Sequence, residues 1–288
     1  MNATHVEAAN LDRDTVTGFG EEWSVFTQDG LENEKLQQQF DGYFAIFDWS
    51  ALAPNAEGFD MGCGSGRWAK LVAPRVGCLH CLDASPKALA VAKRNLHDLP
   101  NCTFHEASFE AIPLPDSSMD FGYCIGVLHH IPDTLGGIRA CARKLKPGAP
   151  FLAYIYYAFD NRPLWYRAVW KVSDVMRRSI SRMPFAVRLV LSQVIAIAVY
   201  YPLSKGSLFL GKLGMNVANF PLSDYATRPF YSMRTDALDR FGTRLEKRFS
   251  RNELIEIFRE AGLENIAVSD RVPYWCIMGR MKHQHTRC

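Results

Sequence analysis

Short apolar runs and amphipathic stretches alternate along most of the chain. Strands are predicted where consecutive residues are largely apolar, at 58–61, 76–82, 102–106, 120–125 and 151–157, and again at 266–269 and 274–279. Amphipathic helices are predicted between them, one of which begins with Ser85 as N-cap and Pro86 at the first helical position. This order predicts a doubly wound, mostly parallel seven-stranded α/β sheet with helices on both faces.

Further helices are predicted on either side of the sheet-forming segments. Residues 1–18 are polar and are expected to be flexible, whereas a helix is predicted within 32–49. Its buried stripe comprises Leu36, Phe40, Tyr43, Phe44 and Phe47. A capping box, Ser250-x-x-Glu253, begins a late helix that Gly262 ends. The predicted organisation is an N-terminal segment and helical cover (1–50), a core (51–158), an insertion (159–245) and a C-terminal helix with strands (246–288).

The strand–helix alternation stops in the insertion after the fifth strand. Between Asp160 and Met215 nine Arg or Lys residues face two Asp residues, and 189–203 is strongly apolar. Fifteen residues are too few to span a bilayer comfortably. Three interpretations stay open: a helical cap over an active site that is also a homodimer face, peripheral membrane contact through 189–203 for a lipid-like acceptor, and a surface for an anionic partner.

Composition narrows the class of protein. A net charge of +3, with 48% hydrophobic and 22% charged residues, is ordinary for a globular protein and gives no strong case for nucleic acid. The eight cysteines do not form the framework of a small secreted domain, and residues 1–17 hold no apolar leader, so a cytoplasmic location is expected. Cys78 and Cys81 lie three apart in a predicted strand and therefore point to opposite faces, so no metal site is expected.

The first predicted strand ends in a glycine-rich turn. Gly62, Gly64 and Gly66 allow a tight turn and close approach of a ligand, and the helix that follows offers free N–H groups to an anion. A dinucleotide fingerprint requires glycine at Arg67, which disfavours a nicotinamide oxidoreductase. Asp83 closes the second strand, where a carboxylate accepts ribose hydroxyls or, alternatively, caps the helix after Ser85.

Residues 58–157 resemble the core of class I S-adenosylmethionine-dependent methyltransferases, which have a Rossmann-like fold. The glycine turn matches the first motif of that family, and Asp83 matches its ribose-binding acid. The segment 107–115 places Ser108 where the family usually has an acid that contacts adenine, and this is a departure. The resemblance implies S-adenosylmethionine as cofactor, bound by Asp60, Gly62, Gly64, Gly66, Arg67, Asp83, Ala84, Ser108, Phe109 and Cys124.

The implied reaction is in-line transfer of a methyl group to an O, N or S atom of a small or medium-sized acceptor. His129 and His130 follow the fourth strand and are the candidate catalytic bases, although either residue is also suited to packing under the next helix. Candidate substrate-binding residues are Trp23, Tyr225, Arg228 and Tyr231. Trp23, with Phe26, is either a lid over the cofactor or a hydrophobic latch. A non-catalytic, cofactor-binding partner subunit is the remaining rival function.

Overall fold

A computed structural model of the protein describes residues 10–27 and 33–283. Seven strands form one sheet in the order β3-β2-β1-β4-β5-β7-β6. The first five pair in parallel, and β7 runs antiparallel between β5 and β6. The predicted mostly parallel seven-stranded sheet is therefore confirmed. The strands are β1 Glu57–Met61, β2 Cys78–Asp83, β3 Cys102–Glu106, β4 Phe121–Ile125, β5 Pro150–Tyr154, β6 Leu263–Val268 and β7 Cys276–Met281.

Ten α-helices connect or flank these strands within the described residues. Ser85 caps α4 by accepting from the Ala88 N–H, and Ser250 and Glu253 form the predicted capping box of α10. Side-chain oxygens thus replace the missing backbone acceptors at the first turn of each helix. The helices are α1 Arg13–Val25, α2 Asn33–Tyr43, α3 Ala69–Val72, α4 Pro86–Asn95, α5 Thr134–Lys144, α6 Leu164–Ile180, α7 Phe185–Ile195, α8 Tyr201–Lys212, α9 Phe230–Gly242 and α10 Arg251–Glu260.

Both faces of the sheet are buried, as expected of parallel strands. Alternating side chains separate the core into two clusters, with Phe59 on one face and Phe121 on the other. Each ring lies over a glycine of the neighbouring strand, because a Cβ on Gly58 would stand 2.2 Å from Phe121 and one on Gly122 would stand 2.3 Å from Phe59. These two glycines set the packing at the centre of the sheet, directly below the ends of β1 and β4.

The expectation of a flexible segment over 1–18 is wrong for its last residues. The α1 helix begins at Arg13, and the Asp12 side chain accepts from the Thr15 N–H as its N-cap. The helix packs against α4, where a Cβ on Gly20 would stand 2.4 Å from Ser85 Oγ. Residues 1–9 lie outside the described part of the chain. Tertiary packing against α4 therefore orders a segment whose polar composition alone suggests mobility.

The insertion is helical, as predicted, but its apolar run is longer than the sequence suggested. A π-helical turn, Ala196–Tyr200, joins α7 to α8, so that Phe185–Lys212 is one helix of 28 residues. Within the described residues this helix is long and apolar enough to cross a membrane by length and composition, with a mean hydropathy of 1.6 over a window of 18 residues. The helix therefore continues past both ends of the predicted apolar run 189–203, because Arg188 and Lys205 interrupt the apolar sequence without ending the helix.

Candidate functional site

The glycine turn after β1 needs glycine for its conformation and for its packing. Gly62, Gly64 and Gly66 have φ angles of +79°, +55° and +76°, which L side chains rarely adopt. A Cβ on Gly62 would lie 2.5 Å from Val127 Cγ2, and one on Gly66 would lie 2.8 Å from Leu96 Cδ1. The turn therefore brings bare backbone to the carboxyl edge of the sheet, where a ligand can approach it.

Asp83 stands beside this turn at the end of β2. Its Oδ2 accepts from the Gly64 N–H at 2.9 Å and its Oδ1 accepts from the Ser85 N–H at 2.8 Å. Burial raises the pKa of the carboxyl group. Each carboxylate oxygen has a second lone pair, so these bonds leave acceptor capacity for a ligand. Ser85, and not Asp83, accepts from the first turn of α4, so the contact of Asp83 with Ser85 orders the chain just before that helix.

A cavity of ≈ 120 Å³, here termed the loop cavity, lies against the glycine turn. Seven of the ten residues that the resemblance assigned to the cofactor line it: Gly62, Gly64, Arg67, Asp83, Ala84, Ser108 and Phe109. Asp60, Gly66 and Cys124 are not among its lining residues. Asp60 is 1% exposed, and burial raises its pKa well above the ordinary value.

The α1 helix closes the loop cavity from above. The sequence pattern predicted no helix at these residues, although Trp23 was a candidate lid over the cofactor. Its contribution includes Thr15, Val16 and Phe19, and Trp23 reaches the glycine turn, since a Cβ on Gly64 would be 3.0 Å from Trp23 Nε1. Phe26, by contrast, is 2% exposed and packs edge-on against Tyr231 with ring centroids 5.6 Å apart. Trp23 is therefore placed as a cover, and Phe26 as a latch. The i, i+3, i+7, i+10 spacing of Val16, Phe19, Trp23 and Phe26 was the available signal.

Two buried hydroxyl oxygens at the loop cavity make no hydrogen bond within the described structure. They are Thr15 Oγ1 and Ser65 Oγ, on residues that are 5% and 1% exposed. Buried polar groups are usually paired, so an unpaired hydroxyl that lines a cavity indicates a ligand that supplies the partner. A polar ligand with several hydrogen-bonding groups fits this cradle.

A second cavity of ≈ 440 Å³, here termed the ring cavity, lies between the sheet edge and the insertion. Its lining includes the aromatic rings of Tyr43, Tyr154, Tyr156, Tyr166, Trp170, Tyr200 and Tyr225. Of the predicted substrate-binding residues, Trp23, Tyr225 and Arg228 line this cavity. Tyr231 does not, and contacts Phe26 instead.

The loop cavity and the ring cavity meet at a small set of shared residues: Phe19, Trp23, Arg67, Ile125 and Gly126. Gly126 has a φ of +84°, and a Cβ built on it would meet no atom within 4 Å. Open space therefore continues past this residue from one cavity into the other. The Arg67 guanidinium lies 4.2 Å from the centre of the Trp68 ring, which holds it at this junction.

The structure gives the two candidate histidines different positions. His130 lines the loop cavity, and its Nδ1 is 2.6 Å from the Leu245 carbonyl oxygen, so Nδ1 carries the proton and donates it. Its Nε2 makes no hydrogen bond within the described residues and lies 3.7 Å from Asp239 Oδ1. Asp239 in turn lines the ring cavity. His130 therefore lies at the boundary between the cavities, with its unpaired Nε2 toward Asp239.

His129 lies behind this boundary and lines neither cavity. It is fully buried, and its ring stacks on Tyr156 with centroids 3.7 Å apart. Burial lowers the pKa of the imidazole well below its ordinary value, which keeps the ring neutral. The position of His129 suits packing under the ring cavity, one of the two roles considered from the sequence.

Acidic groups cluster in the wall of the ring cavity. Burial raises the pKa of Glu22 well above the ordinary value, with further contributions from Asp239 and Asp236, and it also raises the pKa of Asp239. The Tyr225 hydroxyl donates to Asp236 Oδ2 at 2.8 Å, and Arg228 Nη1 lies 3.5 Å from the same oxygen. The wall therefore combines aromatic rings with proton-binding carboxyl groups and the half-buried guanidinium of Arg228.

A separate polar cluster lies at the other edge of the sheet, away from both cavities. The ligand atoms of Glu57, Cys78 and His80 approach within 4.8 Å of one another. His80 already uses both ring nitrogens, with Nε2 2.7 Å from Glu57 Oε1 and Nδ1 3.0 Å from His105 Nε2. Cys81 is buried in the core, away from the half-exposed Cys78. Hydrogen bonding accounts for this cluster.

The fold and the glycine turn define a Rossmann-like domain that binds a nucleotide-containing cofactor at the carboxyl edge of its sheet. Residues 59–153 match the family model of the methyltransferase domain. This segment is a class I S-adenosylmethionine-dependent methyltransferase domain, and S-adenosylmethionine is the cofactor of that class. The cradle of positive-φ glycines and the unpaired hydroxyls of Thr15 and Ser65 fit such a cofactor.

Curated relatives are similar to this chain over the same region. A ubiquinone biosynthesis O-methyltransferase of Paracidovorax citrulli is 33% identical over 108 residues, which cover 36% of this chain and 43% of the relative. The corresponding protein of Albidiferax ferrireducens is 35% identical over 108 residues, covering 36% and 40%. The matched region thus spans only about two fifths of the length of these relatives.

Solved structures extend the similarity of fold to most of the chain. A chain from the complex of the Haloferax volcanii Trm112 methyltransferase activator with a methyltransferase has a TM-score of 0.52 at 16% identity, covering 91% of this chain and 98% of that one. The CurJ carbon methyltransferase also has a TM-score of 0.52, at 11% identity, covering 92% and 59%. At such identities the similarity establishes the fold.

Proposed function

We propose that this protein is an S-adenosylmethionine-dependent methyltransferase that methylates a hydroxyl oxygen of a small or medium-sized acceptor held in the ring cavity. The observation that carries the proposal is the junction at Gly126 and Arg67, where the cofactor cradle opens into the larger aromatic cavity. When bound, S-adenosylmethionine supplies an activated methyl group. The protein then contributes by orienting the acceptor and by excluding water, which Trp23 and the rings of the insertion are placed to do.

Different residues of the loop cavity are proposed to bind different parts of the cofactor. Asp83 is proposed to accept the ribose hydroxyls, Ser108 and Phe109 to contact the adenine, and Arg67 to pair with the carboxylate. The backbone of the glycine turn and of β4 near Cys124 is proposed to hold the methionine part, supported from below by Asp60. This assignment is supported by the lining of the loop cavity, to which seven of the ten residues contribute.

His130 is proposed as the general base. In the neutral tautomer with the proton on Nδ1, which donates to the Leu245 carbonyl, Nε2 holds the lone pair that would take the acceptor proton. After Nε2 takes the acceptor proton, the imidazolium would lie 3.7 Å from Asp239, whose negative form stabilises it. A base is needed only when the acceptor atom is still protonated at neutral pH, as a hydroxyl is. His129 is proposed to position this arrangement by packing.

The insertion at 159–245 is proposed to be the acceptor cap. It supplies Tyr166, Trp170, Tyr200, Tyr225 and Arg228 to the ring cavity, and planar rings of this kind favour an acceptor with a flat or apolar body. The ubiquinone biosynthesis O-methyltransferases match only about 108 residues of the cofactor domain. Their name supports an oxygen acceptor, whereas the cap decides which acceptor binds.

One rival function is favoured by a specific residue. Ser108 replaces the usual adenine-contacting acid, which fits a partner subunit that binds S-adenosylmethionine without catalysis. A transfer assay with S-adenosylmethionine labelled in its methyl group separates the two functions. The enzymatic function is supported if labelled methyl appears in members of a panel of phenolic and aliphatic alcohols, and if this transfer is lost in His130→Asn. Cofactor binding without transfer to any member of the panel supports the partner subunit.

The cellular location of the enzyme and its binding partners are also proposals. The seven described cysteines form no disulfide with one another, which supports a reducing compartment such as the cytoplasm. A second copy of the chain and a membrane surface are both compatible with the exposed apolar side chains of the insertion.

A further inference from the structure

The long helix Phe185–Lys212 turns its large apolar side chains away from the protein. Val190, Val194 and Ile197 are 61%, 53% and 62% exposed and follow each other at spacings of four and three, on one face of the helix. The face toward the protein instead carries Ser192 and Ser204, which are fully buried. A surface helix of a globular protein normally has the opposite arrangement.

The buried serines do not need polar partners from the rest of the protein. The Ser192 hydroxyl donates to the Leu189 carbonyl at 2.9 Å, and the Ser204 hydroxyl donates to the Tyr201 carbonyl at 2.9 Å. The helix therefore satisfies its own small polar residues on its inner face. This inner face packs on α9, where Ala196 and Tyr200 join a small buried cluster.

Helix α6 repeats this inversion. Its inner face carries Asp174 and Arg177, joined at 2.7 Å with side chains 9% and 6% exposed, whereas Val172 and Val175 on its outer side are 67% and 66% exposed. Polar side chains point inward and valines point outward on two helices of one insertion. The outer face is defined by the exposed residues Leu164, Trp165, Val169, Val172, Val175, Met176, Val187, Val190, Val194, Ile197 and Tyr201.

Positive charge surrounds the outer face. Between residues 164 and 215 the only acid is Asp174, which is buried. Six exposed basic residues lie in the same segment: Arg167, Lys171, Arg178, Arg182, Lys205 and Lys212. Apolar side chains flanked by lysine and arginine are typical of a helix that lies in the interface of an anionic membrane. The exposed Trp165 adds a residue that favours the same depth.

The contacts of the long helix determine how it would meet a bilayer. Arg188 Nη1 donates to the Gly242 carbonyl at 2.7 Å, and Ser204 contacts Met233 in α9. The helix is thus held along the protein on one side, and a spanning arrangement would break these contacts. Lying in the plane of the bilayer surface keeps them and buries the outer face.

The ring cavity opens beside the outer face. Val169, Met176 and Val199 line the cavity and are also 54%, 50% and 42% exposed, so they border its opening between α6 and the long helix. An apolar border suits entry of a molecule with an apolar part from a lipid phase. Asp224 and Val272 border a second side that continues into a polar groove with Lys35 and Gln38.

From these observations we propose that the outer face docks on the surface of an anionic lipid bilayer, with the opening of the ring cavity turned toward the lipid. A bilayer is favoured over a second copy of the chain because a symmetric dimer would bring two basic surfaces together, whereas anionic headgroups neutralise them. The consequence for the substrate, an amphiphilic acceptor drawn from the bilayer, rests on the proposed methyltransferase function.

Vesicle flotation tests the docking without any enzymatic turnover. The protein is expected to bind vesicles of phosphatidylcholine and phosphatidylserine about tenfold more tightly than pure phosphatidylcholine vesicles, and less tightly at high salt. The triple variant V190S/V194S/I197S is expected to lose binding, whereas the matched variant V190L/V194L/I197L keeps it. The charge variant K205E/K212E is expected to weaken binding, and the control K70E/K93E, which makes the same charge change on α3 and α4, is not.

Brominated phosphatidylcholine provides a second readout. It is expected to quench the tryptophan fluorescence of the wild type and to quench that of Trp165→Phe less. Absence of binding to phosphatidylserine vesicles would overturn the proposal. So would concentration-dependent dimerisation in analytical ultracentrifugation that the serine variant abolishes, because a second copy would then occupy the outer face. Calorimetry with S-adenosylmethionine is run on each variant to verify that it is folded. A variant that binds the cofactor but not vesicles has lost docking alone, whereas a wild type that does not bind the cofactor contradicts the proposed methyltransferase function.

Discussion

His130 and Asp239 face each other across the boundary between the two cavities, with His130 Nε2 3.7 Å from Asp239 Oδ1. The other nitrogen of His130 is occupied by the Leu245 carbonyl. This arrangement puts one imidazole nitrogen and one carboxyl group beside the place where an acceptor in the ring cavity would meet the cofactor.

Replacement of His130 by Asn is expected to lower kcat by about 10²–10⁴-fold, because the variant lacks the nitrogen that takes the acceptor proton. Cofactor affinity should change little, and calorimetry with S-adenosylhomocysteine measures it. His129→Asn is the matched control: it should lower the melting temperature, because the buried ring stacks on Tyr156, and keep most of the turnover. Equal turnover in His130→Asn and wild type would exclude His130 as base.

Gly126→Val is expected to separate cofactor binding from turnover. A side chain at this position would fill the open space between the cavities, and the φ of +84° adds strain of about 1–3 kcal/mol. Turnover should fall steeply, whereas binding of S-adenosylhomocysteine should weaken less. Gly206→Val is the control, because its Cβ also meets no atom within 4 Å but lies in the insertion. Full turnover in Gly126→Val would mean that the methyl group does not cross at this point.

Ser108→Asp restores the acid that class I methyltransferases usually carry at this position. If Ser108 faces the adenine amino group, a charge-assisted hydrogen bond should tighten S-adenosylmethionine binding by about 1 kcal/mol, roughly fivefold. Isothermal titration calorimetry measures the change, and Ser118→Asp, on an exposed turn, should have no effect. Weaker binding in Ser108→Asp would place the adenine elsewhere.

The free energy of unfolding is expected to depend on pH because the carboxyl group of Glu22 is buried. Burial raises its pKa in the folded protein well above the ordinary value, so the folded state binds this proton more tightly than the unfolded state. The stabilisation that this proton gives to the folded state is fully present below the pKa of Glu22 in the unfolded chain. It is lost as the pH rises through the pKa of Glu22 in the folded protein. Glu22→Gln should therefore be more stable than wild type at neutral pH and lose this advantage toward pH 4.

Thermal melts at several pH values measure this difference. Glu21→Gln is the neighbouring control, since Glu21 is partly exposed and pairs with Arg188 at 3.3 Å. It should not reproduce the pH-dependent gain. A Glu22→Gln variant that is less stable than wild type at neutral pH would show that the carboxylate is ionised and stabilised by Arg67 and Arg188, which act in that direction.

The sheet and the glycine turn were predictable because local physics fixes them. A strand buried on both faces must be apolar along its length, and a turn with three positive φ angles must carry glycines. Asp83 follows from the same logic, since it ends β2 next to that turn. These features depend on neighbours in sequence or on adjacent strands, and the sequence pattern records them.

The covers of the site were harder to predict. The α1 helix has few apolar residues, and its place over the loop cavity depends on packing of Gly20 against Ser85. In the insertion the usual rule is reversed, because Asp174 and Arg177 are inside and Val172 and Val175 are outside. A pattern that assumes apolar residues face the core therefore misplaces these helices. The separate positions of His129 and His130 likewise depend on long-range contacts with Tyr156 and Leu245.

The central claim, that the loop cavity binds S-adenosylmethionine, is tested most directly by isothermal titration calorimetry of the wild type and Asp83→Asn. Wild type should bind S-adenosylmethionine and S-adenosylhomocysteine and not NADH. Asp83→Asn should bind them about 10–100-fold more weakly, because a hydrogen bond to a charged group contributes about 1.5–3 kcal/mol. Asp116→Asn, at an exposed ion pair with Lys144, should bind like wild type. Binding of NADH in preference to S-adenosylmethionine, or equal affinity in Asp83→Asn and wild type, would contradict the account.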